Sequence, residues 1–355
     1  MQPAQEEGTL QDALPVIDGP RDVRPPRSSG ARRRGSAARS YDRRVTLVHW
    51  DDVPSRRPGR RGVGGAWSRL GAAAGSVAVG LNRIRLDPSE VSTPAHVHGA
   101  DEEIFFVLAG SGRSWQDGET YEVRAGDCLV HPPLGKAHTL RGGEGGLDVL
   151  VFGPRTRQQG AYLPKVGVSW LFPSWVDSGG TPHPFDREQN LEWPEPAERP
   201  ASIVNLADVE AQFEGRSKRL AAVAGATQAG LNWGSFRAGE EGAPPHCHSA
   251  EEEIFVILDG EAELLLWSPP RAGEALQTEP AERHPVRRGH VIARPAGTRV
   301  PHSFLAGAPG FTYLAYGQRD TSDVCWYPRS NKIFFRGLGV IARLEQLDYF
   351  DGEPG

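Results

Sequence analysis

A metal-ligand spacing is written into this chain twice, and no other feature constrains its fold as strongly. His96-Val-His98 is followed by Glu103 and Gly110, and His246-Cys-His248 by Glu253 and Gly260. Each copy then runs into a segment containing Gly, Pro and Gly that ends in one more histidine, His138 or His302. Residues two apart on a strand share a face, so each histidine pair can aim into one interior. A residue five positions further on a continuous strand would face the other way. The intervening Gly99-Ala-Asp must therefore turn the chain and pass the carboxylate to the next strand.

The repeat extends well beyond the histidines. Gly80-Leu81-Asn82 recurs as Gly230-Leu231-Asn232, and the first motif keeps that offset through Gly110 and Gly260. An insertion around Trp267 to His284 then shifts the register, which is regained at His138 and His302 and held through Pro164-Lys165 and Pro328-Arg329. Register kept on both sides of an insertion points to duplication. The expected units are 43–175 and 200–345, joined by a proline-rich linker over 176–199 and followed by a short tail over 346–355. Residues 1–42 are rich in Arg, Pro, Ser and Gly, and read as a disordered tail or an over-extended gene start rather than a polyanion-binding arm. Order is expected to begin near Val45.

Within each unit the pattern is β. Glu103-Ile-Phe-Phe-Val-Leu108, Thr120-Tyr-Glu-Val-Arg124 and Asp148-Val-Leu-Val-Phe152 are short runs rich in β-branched and aromatic residues, punctuated by Gly, Pro or Asp. Such spacing suggests a sandwich or barrel. One short helix is expected near Asp208 to Arg216. By strand alternation Phe105 and Val107, with Phe255 and Ile257, would wall the two interiors.

Composition excludes several function classes. Lys+Arg 40 against Asp+Glu 45 leaves a net charge of −5, which offers no global pull toward nucleic acid or an anionic membrane. The three cysteines are unclustered, against a disulfide framework or a thiolate zinc site. No apolar run approaches the ~18 residues of a membrane span, and the amino terminus lacks signal-peptide order. The expected compartment is cytoplasmic.

The runs Asp101-Glu102-Glu103 and Glu251-Glu252-Glu253 leave the ligating carboxylate open between neighbours, of which strand alternation admits one. The spacing to Gly110 and Gly260 favours Glu103 and Glu253. Imidazole and carboxylate donors suit Fe(II), Mn(II), Ni(II), Co(II) or Zn(II). Three histidines and one glutamate would leave a six-coordinate ion two open positions for water, O2 or a bidentate substrate. Cys247, between two ligands, is aimed away and reads as a packed thiol. His131 and His290 do not correspond between copies in sequence and read as turn or surface residues. Asn82 and Asn232 read as strand-end residues before substrate-binding ones. Trp115, Trp170, Trp175, Trp233 and Trp326 read as core before stacking surfaces. The polar and aromatic run from Tyr327 to Gly337 is expected to pair across the two barrels.

These motifs resemble the cupin superfamily, and its bicupin members in particular. The first cupin motif is Gly, five residues, His-x-His, three or four residues, Glu, six residues, Gly; both copies fit its core, with Glu90 and Glu240 at the place of the leading Gly. Gly126 to His138 fits the second motif with one extra residue, and Gly289 to His302 with two more before the histidine. Gly142 and Ala306 replace its closing Asn. The resemblance covers about 45–345. It implies an all-β chain of two tandem antiparallel β-barrels of double-stranded β-helix, or jelly-roll, type. It further implies one metal per barrel, Fe or Mn first. The ligands would be His96, His98, Glu103 and His138 in one barrel, and His246, His248, Glu253 and His302 in the other.

The expected function is a metal-dependent oxidoreductase of dioxygenase type acting on a small organic acid or oxygenated ring, with no catalytic residue assigned. The alternatives are a redox-neutral decarboxylase, lyase or hydrolase, and a non-catalytic cupin that binds a small molecule or metal. The expected partner is a small-molecule substrate, with no nucleic acid and no membrane. A homo-oligomer follows from the family resemblance alone.

Overall fold

The computed structural model of the chain describes residues 47–59, 63–155, 160–171, 174–176, 191–270, 276–345, 347 and 351–352. The basic segment 1–42, the linker from Ser178 to Pro184 and most of 346–355 lie outside these residues. Among the described residues the chain is almost entirely β, and the two halves repeat one plan. In the first half the strands Asp127–His131, Glu103–Gln116, His138–Pro154, Val79–Leu86, Ala66–Ser68 and Ser55–Arg56 lie side by side in one sheet. A four-stranded sheet, Val97–His98, Gly160–Leu163, Val168–Leu171 and Ser174–Val176, supplies the other wall. The second half matches it with His290–Arg294, Glu253–Leu266, His302–Gln318, Ala229–Phe236 and Ser217–Lys218, and with a sheet of Cys247–His248, Val324–Tyr327, Lys332–Phe335 and Val340–Arg343.

The run after Tyr327 thus pairs within the second half, stacking strand on strand against His248, and not across the barrels as its composition suggested. The segment from Asp208 to Arg216 consists of turns, and among the described residues the α-helices are one-turn pieces at Leu70–Ala73 and Leu220–Val223. These are the apolar runs that tuck beneath the sheets, with Leu70 and Leu220 fully buried. No helix among the described residues is long and apolar enough to cross a membrane.

Each half lends the other a strand. Leu47–His49, which precedes the first barrel in sequence, pairs antiparallel with His290–Arg294 of the second. Ile203–Asn205, which precedes the second, pairs with Asp127–His131 of the first. The exchange closes an edge on both sheets, where unpaired N–H and C=O groups would otherwise face solvent.

Strand alternation sorts most of the buried side chains into three cores, with a small fourth around Trp115. Phe105, Val107, Leu129, Leu140, Leu147 and Val149 fill the first barrel, and Phe255, Ile257, Leu264, Ile292, Phe304 and Phe311 the second. Residues of opposite parity, among them Ile104, Phe106, Leu150 and Phe152 with Ile254, Val256, Leu314 and Tyr316, form one core between the barrels. Phe152 and Tyr316 stack there at 5.1 Å. Each such fully buried side chain contributes about 1.5–3 kcal/mol relative to exposure.

The motif glycines have a steric cause. Gly110 (φ +79°) and Gly260 (φ +73°) sit at register shifts in the long strands. A Cβ there would lie 2.2 Å and 2.0 Å from the carbonyl oxygens of Gly146 and Gly310. Only a glycine lets the strand bend over its neighbour at that point.

Candidate metal centres

Two adjacent acidic residues per barrel divide their work by facing opposite ways. Glu102 points between the barrels, where its carboxylate accepts hydrogen bonds from the backbone N–H groups of Thr227, Gln228 and Ala229 at 2.9, 3.1 and 3.1 Å. Glu252 returns the contact, accepting from Val77 and Val79 at 3.1 and 3.0 Å and from Ala78. Glu103 and Glu253 point inward. Glu102 and Glu252 are thereby taken out of the choice that the acidic runs left open, since each is occupied across the interface.

Inside the first barrel the Glu103 Oε2 lies 3.6 Å from His96 Nε2, 3.2 Å from His98 Nε2 and 3.1 Å from His138 Nε2. In the second barrel Glu253 Oε2 lies 3.6 Å from His246 Nε2, 3.5 Å from His248 Nε2 and 3.2 Å from His302 Nε2. The structure therefore gathers all eight residues singled out by the spacing into two clusters of one design. His96 and His138 face each other across a bridge, as do His246 and His302, which joins the two halves of each motif.

The donor atoms fit a divalent cation. His96 Nε2, His98 Nε2, His302 Nε2 and Glu253 Oε2 are buried with no hydrogen-bond partner among the described residues. Buried polar atoms without partners are costly unless something else satisfies them. Donors ~2.1 Å from one ion would sit about 3 Å apart at right angles, close to the separations found. The opposite ring nitrogens are held from behind. His96 Nδ1 faces the Pro94 carbonyl at 3.0 Å, His138 Nδ1 the Lys136 carbonyl at 3.2 Å and His246 Nδ1 the Pro244 carbonyl at 2.8 Å. His248 Nδ1 is 2.7 Å from Asp323 Oδ2. Such contacts fix the tautomer that leaves Nε2 free to ligate.

The local electrostatics follow from burial and the single carboxylate. Burial holds the His96 imidazole down at about 4 and the His302 imidazole at about 3, so both are neutral near pH 7. Burial would also lower His98 and His248, yet the facing glutamates outweigh it. His98 is raised, and His248, with Asp323 added, is pushed up to about 11. Glu103 and Glu253 stay well below the usual carboxylate range, because the imidazoles around them overcome the burial that would raise them.

Several neighbours escaped the sequence reading. His131, expected at a turn or surface, is 4% exposed and stacks on His138 with ring centroids 3.7 Å apart at 9°. It pairs with Glu103 on the adjacent strand, so it must face the same interior. His290 does lie at the surface, beside His49 and the Arg287 backbone. Cys247 is buried at the other face of its strand, and burial raises its thiol to about 12. Cys325 was not foreseen. It pairs with His248, and its sulfur lies within 4.8 Å of the donor atoms of His246 and His248. The carried register of the duplication, which sets Cys325 on Ala161, was the signal that could have found it. Trp115 and Trp170 are buried, while Trp175, Trp233 and Trp326 are partly covered.

A model of the cupin domain matches residues 82–151. No curated protein sequence matches the chain. Among solved structures, an oxalate decarboxylase from Bacillus subtilis, described through its Mn(II) centres, superposes with a TM-score of 0.53 at 15% identity, over 79% of this chain and 78% of that one. Lactobacillus farciminis oxalate decarboxylase, as a formate complex, gives 0.51 at 14% identity over 77% and 86%. The protein Ylba of E. coli gives 0.50 at 14% identity over 77% and 89%. The chain thus carries a cupin-domain match in its first barrel, rebuilds the same donor set in the second and shares the overall fold of these structures.

Proposed function

We propose that the chain is a metal-dependent enzyme that decarboxylates or otherwise cleaves a small organic acid without net oxidation, with Mn(II) the first candidate metal. The observation that carries this reading is the convergence, in each barrel, of three imidazole Nε2 atoms on one glutamate oxygen. Likeness to oxalate decarboxylases, one of them described by its Mn(II) centres, favours redox-neutral chemistry on an acid over the dioxygenase type expected from the sequence.

His96, His98, Glu103 and His138 would hold one cation, and His246, His248, Glu253 and His302 the other. A cation held there supplies Lewis acidity and a template for the oxygens of an acid. The chain's own residues do the rest. Pro94, Lys136 and Pro244 carbonyls and the Asp323 carboxylate keep the imidazoles turned inward. Phe105 and Phe255, whose rings lie 5.7 and 5.6 Å from His138 and His302, exclude water from behind the ligands. In the second barrel burial keeps the Tyr313 and Tyr327 phenols protonated across the neutral range, so either can hold a proton beside the site.

The test is to reconstitute the chain with Mn(II) or Fe(II) and incubate it with a panel of mono- and dicarboxylic acids, following acid loss, CO2 and dissolved O2 together. Acid loss with CO2 release and no net O2 uptake, abolished by chelation, is expected. Stoichiometric O2 consumption would move the assignment to a dioxygenase, and metal-independent turnover would remove the metal from it.

A further inference from the structure

The two barrels share their ligands but not their surroundings. On the strand beside the ligand glutamate, the position paired with Glu103 is His131, and the position paired with Glu253 is Arg294. Both face the interior, because directly paired residues on adjacent strands point to the same side. His131 spends its ring on His138. Arg294 is 7% exposed; it donates through Nη2 to the Val300 carbonyl at 3.1 Å, and its Nε is buried with no partner among the described residues.

The charges beside the donors differ between the sites. A divalent cation with one glutamate leaves a formal charge of +1 in each barrel. In the second, Arg294 adds a positive charge on the strand beside Glu253; Glu253 is committed to the cation, and the buried Asp323 carboxylate is committed to His248 and to the N–H groups of Ser249, Ala250 and Glu251. Burial draws the Arg294 guanidinium down to about 10, which still leaves it charged near pH 7. A buried charge needs a paired counter-charge, and a guanidinium matches a carboxylate in two parallel hydrogen bonds.

Other positions diverge in the same direction. Ala161, paired with His98, becomes Cys325, paired with His248. Val149, opposite Val107, becomes Tyr313, opposite Ile257; Tyr313 covers Gly234, where an added Cβ would meet its ring at 2.6 Å. Tyr327 stacks over the ligand His246 at 5.6 Å. At these positions the first barrel carries Ala161, Val149 and His131, where the second carries a thiol, a phenol and a guanidinium, with the Tyr327 phenol added over His246.

We propose that the second barrel is the one that takes the acid, with Arg294 as the receptor for a carboxylate of a small dianionic substrate whose other oxygens face the cation. The inference rests on the metal-dependent reading above and assigns it to one site. The first barrel then holds its cation without a substrate receptor.

Oxalate binding to the Mn(II)-loaded full chain tests this, with metal content measured first and binding followed by calorimetry and by the Mn(II) paramagnetic resonance spectrum. One oxalate per chain is expected. Arg294→Gln should weaken it about 10–100-fold with two metals retained, and Arg294→Lys should recover part of the loss. The pair His96→Ala with His98→Ala should keep the stoichiometry at one, and His246→Ala with His248→Ala should abolish binding. Unchanged affinity in Arg294→Gln, binding that follows the first barrel's ligands, or no oxalate binding to the loaded chain would each overturn the proposal. A wild-type chain that retains no metal would overturn the functional reading itself, and this inference with it.

Discussion

The His248 imidazole holds a proton when no metal is bound, since Glu253 and Asp323 outweigh burial and push it up to about 11, and Glu103 raises His98 in the same direction. A protonated Nε2 cannot ligate, so binding must expel that proton. Affinity should therefore fall as pH drops, by about tenfold per unit per site while the histidine remains protonated in the free protein. Calorimetric metal titrations at pH 7 in buffers of different ionisation enthalpy should show about one proton released per cation bound in the second barrel. The Asp323 carboxylate is part of the same balance in the second barrel, held near 2 by His248 and by backbone N–H groups against the burial that would raise it. Asp323→Asn should weaken metal binding there by about 10–100-fold and leave the first barrel's affinity as it was, a split that a two-site titration resolves.

At the scale of elements, the turns that open the strands Val79–Leu86 and Ala229–Phe236 are tied to the opposite barrel by Glu252 and Glu102. Each buried carboxylate accepts from three consecutive N–H groups at the seam between the barrels. Burial pushes the Glu252 carboxyl up, and the N–H groups of Val77, Ala78 and Val79 work against that rise. Glu252→Ala should cost about 3 kcal/mol or more in unfolding free energy, with lost exchange protection centred on Val77 to Val79. A change below 1 kcal/mol in denaturant unfolding would show that water replaces the carboxylate. The reciprocal Glu102→Ala should act on Thr227 to Ala229 in the same way.

For the molecule as a whole, strand exchange makes each barrel depend on chain that lies outside its own repeat. Cutting within the linker would leave the first barrel without Ile203–Asn205 and the second without Leu47–His49. Removing the residues before Asp52 from the intact chain should loosen the second barrel, which is farther in sequence, more than the first. Hydrogen exchange should then quicken at Val291 and Ile292 before it does at Val130. Uniform protection would mean that the added strand contributes little.

The sequence by itself determined the duplication, the β architecture, the inward parity of Phe105, Val107, Phe255 and Ile257, and the grouping of eight donors. These follow from local rules: period-two alternation, turn residues at fixed intervals, and a spacing that a metal imposes on a strand and its neighbour. The tertiary structure decided what depends on pairing between distant strands. Glu102 and Glu252 reach across an interface, and the run after Tyr327 folds back on its own barrel. The first strand of each half pairs with the other half, and His131 and Arg294 take one position beside two like sites. No spacing within a motif encodes which strand lies next to which. That comes from burying both sheet faces at once, and it is what turns two copies of one ligand set into two different surroundings.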